Sequence, residues 1–285
     1  MNSLSTFSIV AADPPAAEVG VAVQSKFLAA GALVSSARSG VGAVATQALA
    51  EVTYGSRGLE LLATGLEPRA VLRELLATDR LAHRRQIGVV AADGRSASHT
   101  GRACQPQAMS LTGFGYAVQG NLLTSETVVS SMVAAFEVTA ERPLADRLIE
   151  ALRVGQGSGG DRRGQESAAL LVSKPGAGYG RTHDKYIDLR VDHHAEPIEE
   201  LARLYELHRL YFVRPGEQEF VTVDDTLERE IRELLGKLGR LRPNRDLWDD
   251  LFDYVGWENL EERWGGPRRI DSVVLSHMRK AVNDR

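Results

Sequence analysis

The residue best placed to do chemistry in this sequence is Thr6, the first residue of the apolar run TFSIVAAD. A threonine freed at a chain terminus carries its own base. Its α-amine has a reference pKa of about 7.7–8.0, so at neutral pH it can take the proton of the neighbouring hydroxyl. A nearby ammonium lowers that pKa further and keeps the amine neutral. The chain has only five lysines, and Lys26 closes the second apolar run, EVGVAVQSK. If the two runs form a hairpin, Lys26 comes near Thr6. The bland alternative is a β-forming threonine that merely starts a strand. Five residues precede Thr6, so a free terminus there needs them clipped, or translation to begin later. With a start at position 4, Ser5 is the alternative nucleophile.

Two further stretches carry polar groups suited to a site. Gln119-Gly120-Asn121 ends an apolar segment. The Gly120 amide and Asn121 are candidate donors to an oxyanion, and an ordinary turn is the other reading. The run GQGSGGDRRG (155–164) lets backbone approach a ligand, with Asp161 and Arg162 facing an amine and a carboxylate of a small substrate. Otherwise it is a loop with a solvated charge pair. Its formal GxGxxG spacing is no dinucleotide site, because that motif must follow a strand and open a helix. No P-loop is present. The group Asp188, Asp192, His193 and His194 lacks a metal-ligand spacing, so no metal or cofactor is expected. Cys104, the only cysteine, reads as a small buried hydrophobe.

The elements that must hold these groups follow from periodicity. Strands are expected at 6–13, 18–26, 40–48, 110–121, 167–173 and 186–191, with a hairpin at 86–101 around a two-residue Asp93-Gly94 turn. Helices are expected at 55–64, 68–77, 125–139, 144–154 and 197–212, the last with Leu201, Leu204, Leu207 and Leu210 inward. Blocks of strands alternating with helix pairs suit two packed antiparallel sheets with helices outside, not a parallel array. After Arg214–Glu217 the composition turns charged and helical (223–241, 246–264, 270–282) and includes all three tryptophans. These are expected to anchor a small core or an interface between copies.

The chain has 285 residues, 43% hydrophobic and 25% charged, with a net charge of −4. That balance carries no nucleic-acid footprint. No apolar run is long enough to span a bilayer. The N-terminus lacks a secretory pattern and a single cysteine suits a reducing compartment, so a cytoplasmic protein is expected.

The ordered motifs TFSIVAAD, GVAVQSKFLAAGALV, GVGAVATQA, YGSRGLELLATG, VQGNLL, GGDRRGQESAALLV and YIDLRVDHH resemble a bacterial family, domain of unknown function 1028. The resemblance spans about residues 5–212. It implies an α+β fold, a four-layer αββα sandwich of the N-terminal-nucleophile (Ntn) hydrolase type, and no known substrate. More distantly, TFSIV with EVGVAVQSK resembles the opening hairpin of proteasome β-subunits, with Ser25-Lys26 where those place an aspartate. The C-terminal segment resembles a family described as peptidoglycan-binding.

The expectation is thus an Ntn-like domain at 1–213 and a small helical domain at 217–285. The function expected is an amidohydrolase acting on a small-molecule or peptide-like substrate. Thr6, Lys26, Gly120 and Asn121 would be catalytic, and Ser25, Asp161 and Arg162 substrate-binding. No nucleic-acid or membrane partner is expected, and a homo-oligomer is. The alternative is a non-catalytic binding or scaffold protein that keeps the fold.

Overall fold

Strands β1 (Thr6–Asp13) and β2 (Glu18–Ser25) are buried almost throughout. Their continuous apolar runs reflect cover on both faces. They pair antiparallel from Thr6↔Ser25 to Asp13↔Glu18. The structure, a computed structural model, describes residues 6–284. It divides into two compact units, Met1–Leu204 and Tyr205–Arg285.

In the first unit the chain leaves β2 through a one-turn helix, α1 (Gly31–Val34), and passes to a second sheet. That sheet has the order β3-β4-β5-β6, from β3 (Ser35–Arg38), β4 (Gly42–Ala48), β5 (Arg85–Ala91) and β6 (Ser96–Thr100). Between β5 and β6 the turn has three residues, not the expected two. Gly94 N–H donates to Ala91 O, Ala91 N–H donates to Arg95 O, and only Gly94 has positive φ. A two-residue type I′ turn needs positive φ twice, so Asp93-Gly94 settles into the bulged form.

The larger sheet has the order β10-β9-β2-β1-β8-β7. Its other strands are β7 (Met109–Gly113), β8 (Tyr116–Gly120), β9 (Ser167–Ser173) and β10 (Lys185–Val191). Helices α2 (Thr53–Ala63) and α3 (Pro68–Leu76) pack on the smaller sheet. Helices α4 (Thr127–Val138) and α5 (Leu144–Gly157) pack on the larger one. The sheets face each other through small side chains such as Val10, Val21, Ala43, Ala45 and Ala117. This is a mixed α and β unit with antiparallel sheets. On one flank hydroxyls join the sheets: Ser96 Oγ donates to Gly113 O at 2.7 Å and Ser98 Oγ to Ser110 Oγ at 2.9 Å.

Helix α6 (Pro197–Phe212) spans the division between the units. Its buried row is Ile198, Leu201, Tyr205 and His208, while Leu204, Leu207 and Leu210 are only half-buried. A strict three-residue spacing drifts off one helix face, whereas alternating steps of three and four hold it.

The second unit contains α7 (Asp225–Lys237), α8 (Leu247–Trp257) and α9 (Ser272–Asn283), capped by the side chains of Asp224, Asp246 and Asp271. It also has a ribbon of β11 (Phe220–Thr222) and β12 (Arg269–Asp271) that periodicity did not reveal. Its core holds Ile231, Leu235, Leu251, Tyr254, Val274 and Met278. Trp257 lies outside that core, 67% exposed, and Trp248 and Trp264 are partly buried. Among the described residues no helix is long and apolar enough to cross a membrane.

Candidate functional site

Thr6 is the first residue of β1 and is fully buried. On one side it faces Ser25, and its hydroxyl donates to Ser25 Oγ at 3.1 Å. The Phe27 N–H donates to that same Ser25 oxygen at 3.1 Å. On the other side the ladder with β8 runs to Phe7↔Gly120, and the Asn121 N–H donates to Thr6 O at 3.1 Å. Thr6 is therefore held between the end of β2 and the residue after β8.

The expected Gly120 donor is not directed at Thr6. Successive residues of an antiparallel strand turn their N–H groups to opposite sides. With Asn121 bound to Thr6, Gly120 turns toward its β7 partner Met109. What remains near Thr6 is the Asn121 side chain, wholly buried. One Nδ2–H donates to Gln86 Oε1 at 3.0 Å. The second has no partner among the described residues, and neither has Asn121 Oδ1.

Sequence reasoning missed what lies behind this. Gln47 and Gln86 face each other across β4 and β5, and both are fully buried with Gln119. Gln47 Nε2 donates to Thr6 O at 3.1 Å and to Gln86 Oε1 at 2.8 Å, and Gln47 Oε1 accepts from Ser8 Oγ. Gln86 Nε2 donates to Gly120 O at 2.8 Å. Gln119 Nε2 donates to Ser8 Oγ at 2.7 Å. Room for Gln119 comes from Gly88, where a Cβ would stand 2.1 Å from Gln119 Oε1. A buried carboxamide is costly unless its groups are paired. A glutamine inside each of three small-residue strands was thus a usable signal of a polar cluster between the sheets.

Lys26 is placed at the same end but turned outward. Its N–H donates to Asp161 Oδ2 at 3.3 Å. Its ammonium donates to Gln165 O at 3.0 Å and to Glu166 Oε2 at 2.9 Å. Glu166 also contacts His193 Nδ1, and the Lys26 and His193 bonds hold its carboxyl below the usual range. The ammonium thus neutralises Glu166, and the Thr6 hydroxyl is served by Ser25.

Asp161 is buried, and both its oxygens are engaged within the chain. Oδ1 accepts the Arg163 N–H at 2.9 Å and Arg163 Nε at 3.1 Å, while Oδ2 accepts Arg163 Nη2 at 2.8 Å. Its partner is therefore Arg163, two residues on, as an aspartate-initiated turn dictates. Arg162 donates its N–H to Leu122 O at 3.0 Å, and its exposed guanidinium has no partner among the described residues. The preceding Gly159 and Gly160, both at positive φ, turn the chain from α5 back to the Leu123↔Asp161 bridge. Ser5 lies outside the described residues.

Comparison with known proteins places these residues in a family. The profile described as "Family of unknown function (DUF1028)" matches residues 6–201, beginning at Thr6. One described as "Putative peptidoglycan binding domain" matches residues 211–278. The crystal structure of a Silicibacter pomeroyi protein assigned to the first family is similar at 28% identity, with a TM-score of 0.65. The alignment covers 75% of this chain and 91% of that one. No curated protein matches.

Proposed function

Because the chain belongs to the DUF1028 family of unknown function, whose name assigns no reaction, we propose from the site geometry that it is an amidohydrolase of the Ntn kind. Thr6 is its nucleophile once residues 1–5 are removed. The substrate is an amide of a small or peptide-like metabolite. The observation that carries this reading is the Asn121 carboxamide, buried next to Thr6 with one N–H unspent. A buried polar atom without a partner calls for a reason, and a developing oxyanion supplies one.

The freed Thr6 amine takes the hydroxyl proton as Oγ1 attacks the amide carbon. The carbonyl oxygen becomes an oxyanion, held by Asn121 Nδ2–H. The C–N bond then breaks, the leaving nitrogen takes the proton, and the acyl group stays on Oγ1 as an ester. Water, deprotonated by the same amine, attacks the ester carbon; the C–Oγ1 bond breaks, the amine returns the proton to Oγ1, and the acid leaves. Ser25 orients the Thr6 hydroxyl, Lys26 offsets Glu166, and Arg162 receives a substrate carboxylate. Asp161 shapes the loop that presents Arg162. Two facing antiparallel sheets, each with its own helix pair, support an αββα sandwich of Ntn type. The family match beginning at Thr6 supports that residue as the working terminus.

The test is intact mass together with turnover on a panel of amides. The mechanism expects loss of residues 1–5, hydrolysis in the processed protein, and none in Thr6→Ala. Hydrolysis by protein that keeps those residues would remove the amine as base and sink the mechanism. Processed protein inert on every amide would favour the binding-protein alternative.

A further inference from the structure

The smaller sheet does not cover the whole of the larger one. Strand β3 lies over β2 and β9, and β10 extends past it as the edge of the six-stranded sheet. The overhang leaves a groove of about 500 Å³ whose lining includes Ser35, Arg38, Ala169, Leu171, Asp188 and Arg190. That is the size of a metabolite site, and it uses none of the residues assigned to the Thr6 site.

Two glycines shape the groove. A Cβ on Gly31 would stand 2.2 Å from Ala169 Cβ, so its absence lets α1 press onto β9. A Cβ on Gly55 would stand 2.1 Å from Ser36 Oγ, so its absence lets α2 approach β3.

The charges leave a positive surplus. Asp188 is paired with Lys185 at 2.9 Å, and Asp184 accepts the Gly176 N–H at 2.8 Å. Arg38 is exposed and has no partner among the described residues. Arg190 meets a carboxylate only at 4.0 Å, on Asp192. Ser35 Oγ is buried in the wall and has no partner among the described residues. Arg190 pairs with Ala169 in the ladder, and Ala37 O accepts from Ser173 Oγ, so the arginines stand toward opposite ends of the groove. Four residues of β9 separate these points, about 13 Å of strand, a span that two long side chains shorten.

We propose that this groove is a second binding site, for a small anionic molecule bearing a carboxylate or a phosphate. Arg38 and Arg190 receive the anion through their planar forks, and Ala169 and Leu171 accommodate a short apolar body.

Calorimetric titration of the full chain with succinate and with inorganic phosphate, at constant ionic strength set by KCl, tests this. Saturable binding of at least one probe is expected, weakened about tenfold or more in both Arg38→Ala and Arg190→Ala, as for loss of a charge-assisted bond. Binding in Thr6→Ala should be unchanged. The stronger probe identifies the anion. The proposal is overturned if neither probe binds saturably, or if binding is indifferent to both arginine substitutions.

Discussion

Asn121 Nδ2 donates to Gln86 Oε1 at 3.0 Å, and the same oxygen accepts Gln47 Nε2 at 2.8 Å. One carboxamide oxygen thus joins the residue after β8 to both central strands of the facing sheet. Gln47 and Asn121 each also donate to Thr6 O. The backbone of Thr6 is consequently fixed from two sheets at once.

Gln86→Leu should destabilise the chain by about 1–3 kcal/mol. It leaves the buried Asn121 Nδ2 without its partner and takes one of several partners from Gln47 Nε2, and a buried group left unpaired costs about 1–3 kcal/mol. Urea unfolding measures the loss. A change below about 1 kcal/mol would show that the cluster does not bind the sheets together. Gln86→Glu should also destabilise, and more at pH 8 than at pH 5, because burial favours the protonated acid and raises its pKa.

Gly88→Ala should cost about 1–3 kcal/mol through overpacking. The new methyl would stand 2.1 Å from Gln119 Oε1, and moving that side chain breaks its bond to Ser8 Oγ. Gly157→Ala is the control, since a Cβ there meets nothing within 4 Å and the residue is helical. Equal costs at the two positions would refute the packing explanation.

The bounds of β1, β9 and α6 coincide with the expected ones, because buried strands write unbroken apolar runs and a long helix repeats its period. Elements α1 and β3, of four residues each, are too short to show any period. Strands β11 and β12 are shorter still. The hairpin made the end of β2 legible as a neighbour of Thr6, although the expectation put Lys26 there and the register gives Ser25; that Asn121 meets Thr6 depends on β8 lying beside β1, which no local pattern records. Gln47, Gln86 and Gln119 were not legible, since their partners lie on the facing sheet and hydrophobic patterning records only that a position is polar. That Asp161 is engaged by Arg163 instead of facing a substrate turns on local turn geometry, which composition does not record.

Acid should unfold the first unit partly through Asp79. Its carboxylate accepts Arg85 Nε and Tyr54 Oη, both at 2.7 Å. The Arg85 bond foremost, then Tyr54 and the Leu81 N–H, hold its pKa at about 2 against the opposing effect of burial. The ordinary value is 3.8. The folded pKa is depressed, so the stabilisation is complete above about pH 4 and is lost as pH falls toward 2. The difference corresponds to about 2 kcal/mol. Asp79→Asn should therefore melt lower than the parent at pH 7, with the gap closing near pH 2. A gap that stays constant across that range would rule out this linkage.

In the second unit Tyr254 and Trp257 should respond very unequally to truncation, although both lie on α8. Tyr254 is 1% exposed within the core, and Tyr254→Ala should cost about 3–5 kcal/mol. Trp257 is largely exposed, and its ring carries the Arg240 guanidinium at 3.9 Å from the centroid. Trp257→Ala gives up that cation–π contact and little else, so about 1 kcal/mol or less is expected. Far-UV circular dichroism in urea compares the two without relying on tryptophan emission. A loss in Trp257→Ala as large as in Tyr254→Ala would mean that the ring is covered in solution, and sedimentation at several protein concentrations would then reveal whether a second copy covers it.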